Sequence, residues 1–414
     1  MQEEFLQYLF EYGLIENTEF EIISSGIKNT DAGPDFFNSK IKIDDTIWAG
    51  NVEIHIKSSD WKRHNHHKDK AYDNIILHLV LIHDTEILTT KGVIIPTFEI
   101  KYKQEIFDTY ESLIYNKLWV HCENDLSKID SFTKSSYIDS LAIDRLMRKS
   151  LFFNQLLEYN NNNWEESFYQ ALAKGFGGKI NQIPFELLAK SVSLKHLAKA
   201  KGNILEIEAI LFGQAGLLEK EADDIYYQNL QQEYRFQRKK LKLENIRTEL
   251  WKFSKVRPYN FPTLRIALFA QLINTRQSLL SIISECKTIN DIENVLEVKA
   301  SEYWETHYRF SENSKTLNKK LGKASKQHLI INTIIPFLYI YAEQTHQENL
   351  KERCLDWLSN LPKEDNNITR KWELLKFENA NAMQSQGLIE LKNEVCAKHR
   401  CIDCRIGHKI LTLA

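Results

Sequence analysis

No run of about 18 apolar residues occurs in the sequence, so no membrane-spanning helix is expected. Glycine and proline are scarce, at 14 and 7 of 414 residues, which excludes collagen-like repeats and argues against long structureless loops. Six cysteines, three of them bunched near the far end, do not make a disulfide framework; a reducing, cytoplasmic location is expected. The opening MQEEFLQYLF is acidic and lacks an apolar core, so no signal peptide is expected. The net charge of −2 shows no global basic excess that would announce nucleic acid.

What is present fits an ordered protein with real cores: 43% hydrophobic and 27% charged residues. At 414 residues, two domains are expected. Charge is uneven. Residues 1–103 carry 11 Lys and Arg against 17 Asp and Glu, whereas residues 235–257 carry nine basic residues against Glu244 and Glu249.

Hydrophobic periodicity divides the chain. Phe5, Leu6, Leu9 and Phe10 share a helical face. Strand patterns follow at 20–24, 39–43, 47–56 and 74–82, with a hairpin or strand pair over 86–103. Residues 58–73 are polar and irregular. Helical spacing then dominates, near 134–158, 164–175, 184–200, 204–219, 222–252, 263–286, 326–344, 347–360 and 384–398. The fold class expected is α+β: an N-terminal mixed sheet with helices over 1–125, then a mostly helical domain over 126–414.

A set of polar residues falls on the strands. Pro34-Asp35 stands at a turn entering one strand, and Glu53, His55 and Lys57 alternate along the next. Side chains two apart point to one face, about 7 Å on, so these three share a face opposite Val52, Ile54 and Ile56. Two carboxylates brought together this way can hold a hard divalent cation such as Mg²⁺ or Mn²⁺, with His55 or Lys57 orienting water. The same alternation also fits the solvated face of a sheet. Asp60-Trp61 then leads to His64, His66 and His67, followed by Asp69, Asp73 and His78, a dense group in a chain with 13 histidines. These are candidate metal or phosphate contacts, or an exposed polar loop.

The helix, strand order and Asp35…Glu53 pair resemble the PD-(D/E)xK nuclease superfamily. That resemblance implies Asp35 and Glu53 as metal ligands, with Glu4 or Glu11 as a first-helix acid. The sequence departs from the pattern at His55, where the superfamily places lysine; Lys57 lies one step further on the same face. The run NTDAGPDFFNSKIKIDDTIWAGNVEIHIKSSDWKRHNHHKDKAYDNIILHLVL, with GFGGKINQIPFELLAKS, VRPYNFPTLRIALFAQLI and HRCIDCRIG further on, resembles an uncharacterised bacterial family, domain-of-unknown-function family 2851. This second resemblance covers nearly the whole chain and implies one complete unit.

Near the end, Cys396-x4-Cys401-x2-Cys404 offers two thiolates on one tight turn, a bite suited to zinc. His408 or His399 could supply the fourth ligand of a structural zinc site. An iron–sulfur cluster is the alternative and would need Cys354 or Cys286 to reach in. Finally, Arg238, Lys239, Lys240, Lys242, Arg247, Trp251 and Arg257 combine cations with an aromatic ring, a composition that suits nucleic acid or the solvated side of a helix. The function expected is metal-dependent hydrolysis of phosphodiesters, with a non-catalytic nucleic-acid-binding or scaffold protein as the rival.

Overall fold

The computed structural model describes residues 3–16 and 19–413. Phe5, Leu6, Leu9 and Phe10 form the buried stripe of helix α1 (Glu3–Glu11). Strand β1 (Phe20–Ser24) and the short β2 (Ile27–Lys28) follow. Then come β3 (Phe36–Ile43) and the long β4 (Thr46–Lys57). Asp44, in the left-handed region at φ 51°, closes the tight connection between β3 and β4. Strand β5 (Ile75–Ile82) and β6 (Thr97–Glu99) complete the sheet.

The sheet order is β1-β3-β4-β5-β6, with β2 also paired to β3. The β1/β3 and β3/β4 pairs are antiparallel; β4/β5 and β5/β6 are parallel. Parallel neighbours cannot be joined by a hairpin and need a crossover. Residues 58–74 provide it, folded as the one-turn helix α2 (Asp60–Arg63) and two 3-10 turns, His66–Lys68 and Lys70–Tyr72. This segment is more ordered than its polar sequence suggests, because Trp61 and Tyr72 anchor it in a small core with Ile75, Ile87 and Ile95. A parallel strand covered on both sides reads as a continuous apolar run, as in the β5 sequence IILHLVLI.

The hairpin expected over 86–103 is reduced to a single bridge between Leu88 and Ile94. Pro96 has no N–H to donate to a ladder, and its carbonyl accepts instead from His78 N at 2.9 Å. The short β6 beyond it pairs in parallel with β5.

The chain forms two compact units: Met1–Tyr137 with Leu391–Ala414, and Ile138–Glu390. The hydrophobic pattern changes near residue 125, while residues 391–414 group with the sheet unit. The second unit is mostly helical, with one two-stranded sheet of His307–Arg309 and Glu312–Asn313. The helix expected over 263–286 is two, Pro262–Thr275 and Leu279–Glu285, parted at Ser278 with φ 47°. The helix expected over 326–344 carries a widened π turn at Ile330–Ile334, just ahead of Pro336. Proline cannot donate to the carbonyl four residues back. That carbonyl, Asn332 O, accepts from Lys149 Nζ at 3.4 Å. Among the described residues, no single helix is long and apolar enough to cross a membrane.

Gly50 lies where β4 meets β5, and a Cβ there would stand 2.4 Å from Ile76 Cγ2 and 2.8 Å from Asn74 O. Gly50→Ala is expected to destabilise the protein by about 1–3 kcal/mol through overpacking, read as a lower thermal midpoint at unchanged unfolding cooperativity.

Candidate metal centre

Two carboxylates distant in sequence meet at the start of β3 and the middle of β4. The turn before β3 is held by Asn29, whose amide donates to the carbonyls of Asp31, Ala32 and Pro34 at 3.1, 3.3 and 3.0 Å. Asp35 N then donates to Glu53 Oε2 at 3.1 Å, and Ile54 N donates to Asp35 Oδ2 at 2.9 Å. Gln7, on α1, donates its amide to Asp35 Oδ1 at 2.8 Å. These bonds tie one oxygen of Glu53 to the backbone and leave the other, Oε1, facing histidines.

His55 Nε2 lies 3.4 Å from Glu53 Oε1, and His66 Nε2 lies 3.3 Å from the same oxygen. His64 Nδ1 stands 3.2 Å from His55 Nε2. One ligand atom each from His55, His64 and His66 falls within 4.8 Å of the others. The crossover makes this possible. His64 and His66 flank Asn65, whose left-handed backbone (φ 66°) turns both rings inward. The His66 ring is seated on Tyr72, with centroids 3.9 Å apart, and against the edge of Trp61.

A hydrogen-bond chain holds the His55 ring. Thr97 Oγ1 donates to Ile95 O at 3.2 Å and lies 3.4 Å from His78 Nδ1. His78 Nε2 in turn shares a hydrogen bond with His55 Nδ1 at 2.9 Å. His55 Nε2 then faces Glu53 Oε1 and His64 Nδ1. Burial pushes the His55 imidazole down to about 2 and His78 to about 3, so neither is a cation that could pair with the carboxylate. Burial also lowers His66. A proton or a metal ion can be shared between His55 Nε2 and Glu53 Oε1, which lie 3.4 Å apart. Three imidazoles and one carboxylate suit a divalent transition ion better than Mg²⁺, which prefers oxygen donors. A ligating imidazole whose other nitrogen is held by a second residue is the usual arrangement at such centres.

Both acids sit well above the ordinary carboxylate range. For Asp35 the first cause is burial, then the neighbouring Glu53 charge; for Glu53 it is burial, with the Glu3 charge adding to it. Glu3 and Gln7 are thus the α1 residues that act on this site, and neither was singled out from sequence. Glu4 is exposed, and Glu11 pairs with Lys28 at 3.4 Å.

The other expected residues are distributed as follows. Lys57 is exposed at the end of β4, in register with Ile82. Asp60 serves the backbone, accepting from Lys57 N at 3.0 Å and pairing with Arg63 at 3.1 Å. His67 lies outside the triad, with a buried Nδ1 that has no partner. His408 does not line the cysteine site; its Nδ1 meets the Tyr8 hydroxyl at 2.8 Å and its ring packs on Tyr12. Cys286 and Cys354 lie in the second unit's core, whereas Cys122, which sequence reasoning missed, lines one cavity with Cys396, Cys401 and Cys404. The basic helix, expected over 222–252, ends at Leu241 with Lys242 in the left-handed region. Arg238, Lys239, Lys240, Lys242, Arg247 and Arg257 are exposed. Trp251 is not a stacking platform: it is buried at 6% exposure and its indole donates to Ala215 O at 2.8 Å. An amphipathic indole fills a core gap when a carbonyl is in reach, and a sequence does not show that carbonyl.

The sequence matches the family model described as Protein of unknown function (DUF2851) over residues 3–367. The chain belongs to this family. Comparison with curated proteins and with solved structures finds no match. Asp35, Glu53 and the three histidines of the DUF2851 protein all lie inside the matched region, and the cysteine-rich tail lies beyond it.

Two measurements test the centre. With both carboxyls raised in the folded state, the metal-free DUF2851 protein holds their full contribution to stability below the unfolded carboxyl range near pH 4. It loses that contribution as pH rises through the elevated folded values. Its thermal midpoint is expected to fall between pH 5 and neutrality, with a weaker fall in Glu53→Gln. His78→Ala is expected to weaken binding of Mn²⁺ or Zn²⁺ by about 10–100-fold in calorimetric titration, because it frees the His55 ring.

Proposed function

We propose that this protein is a metal-dependent nuclease, hydrolysing phosphodiester bonds at the Glu53, His55, His64 and His66 cluster with Asp35 beside it. The observation that carries the reading is the convergence of ligand atoms of His55, His64 and His66 within 4.8 Å of one another, with Glu53 Oε1 3.4 and 3.3 Å from ring nitrogens of His55 and His66. Mn²⁺ or a comparable divalent ion suits this donor set, and when bound it would polarise a phosphoryl oxygen and acidify water. Glu53 and the imidazoles hold the cation. His78, bonded to His55 Nδ1, holds the His55 ring in place. Tyr72 and Trp61 keep His66 from turning away, and Gln7 with the Ile54 amide fixes Asp35 at the edge of the cluster. Lys57, exposed at the strand end, would meet a substrate phosphate.

The order antiparallel, antiparallel, parallel along β1-β3-β4-β5, after a leading helix, supports the likeness to PD-(D/E)xK nucleases that the sequence suggested. One observation favours the non-catalytic rival: the superfamily's lysine position holds His55, a buried neutral ring without positive charge for the scissile phosphate.

The test is hydrolysis of single- and double-stranded DNA and RNA with Mn²⁺, Mg²⁺ or Zn²⁺. Wild-type cleavage that falls by about 10²-fold or more in Glu53→Ala and His66→Ala is expected. Metal binding without cleavage of any substrate would replace the enzyme reading with the nucleic-acid-binding one.

A further inference from the structure

Four of the six cysteines come together in the first unit, although 274 positions separate Cys122 from Cys396. Cys122 follows helix α3 (Gln104–Tyr115), at the entry to a short 3-10 segment. Cys396 stands in the turn Cys396–Lys398, and Cys401 and Cys404 lead into the terminal helix Arg405–Thr412. The four thiols line one cavity of about 20 Å³, and none is in a disulfide.

The surroundings of the thiols are built for a bound sulfur. Cys404 occupies the N-terminal cap position of the terminal helix, makes no side-chain cap bond there, and lies against the Tyr137 hydroxyl. A Cβ on Gly407 would stand 2.0 Å from Cys401 O, so glycine is what lets the Cys401-x2-Cys404 turn close against the helix. Cys401 Sγ is held 3.4 Å from Leu113 O, next to the segment that carries Cys122. The tail is tied to that segment again by Lys392 Nζ, which donates to Trp119 O.

We propose that Cys122, Cys396, Cys401 and Cys404 bind one zinc ion as a four-thiolate site that pins the tail 391–414 to the segment 113–122. Four soft sulfur donors and a Cys-x2-Cys turn suit a tetrahedral zinc-class ion. The thiols give up protons on binding, and the site adds metal-dependent stability to the burial of Ile406, Ile410 and Leu411 in the tail.

The experiment uses the full chain carrying His64→Ala and His66→Ala, so that the histidine centre does not contribute metal. Expected are one zinc per chain by elemental analysis, its release as four thiols are blocked by a mercurial reagent, and a sulfur-to-cobalt charge-transfer band after cobalt exchange. Cys122→Ser should lose most of the zinc or the band, while Cys286→Ser and Cys354→Ser keep both. The mercurial titration needs no cysteine variant, so it decides the matter even if Cys122→Ser fails to fold. Absence of zinc, release that does not track thiol blocking, iron with acid-labile sulfide, or full retention in Cys122→Ser would each overturn the proposal.

Discussion

The parallel pairing of β4 with β5 is the constraint from which the metal centre follows. Two adjacent parallel strands cannot be closed by a turn, so the chain must leave the sheet and return. Residues 58–74 make that return across the face on which Glu53 and His55 stand, and they carry His64 and His66 with them. The register then sets His78 opposite Glu53, one strand over, where it can hold the His55 ring. An antiparallel pair at this point would have left the histidine segment on a hairpin tip, far from the carboxylate.

The buried polar groups here are expensive to assemble. Glu53 and His55 are 5% and 2% exposed, and the acids and imidazoles crowd one another. Buried charge is tolerated where it is paired or coordinates a metal. The backbone amides of Asp35 and Ile54 satisfy part of the need, and Glu53 Oε1 with His55 Nε2 is what they leave over. The donor set therefore gives the site a specific chemical preference, toward ions that accept nitrogen as well as oxygen.

The cysteine cavity and the histidine cluster follow one rule with different donors. In each, a sequence-local pair on a tight turn is completed by residues brought in from elsewhere in the first unit: Cys401 and Cys404 by Cys122 and Cys396, His64 and His66 by Glu53 and His55. Both are held by backbone geometry that one residue type tolerates best, a glycine at 407 and an asparagine at 65.

The sequence by itself determined the α+β class, because period-2 and period-3.6 patterns report directly which faces are buried. It also marked Asp35, Glu53, His55, His64 and His66, and the Cys-x2-Cys turn, since these are short-range arrangements of chemically distinctive residues. Only the tertiary structure decided which of them meet. Gln7 and Glu3 look like ordinary polar positions of an amphipathic helix until Asp35 stands opposite them. Cys122 is a lone cysteine until the tail folds back, and Trp251 resembles a stacking ring until Ala215 O accepts its indole hydrogen. Periodicity is local and survives in one dimension. A ligand set depends on distances between residues tens to hundreds of positions apart, which exist only after strand order and register have been chosen.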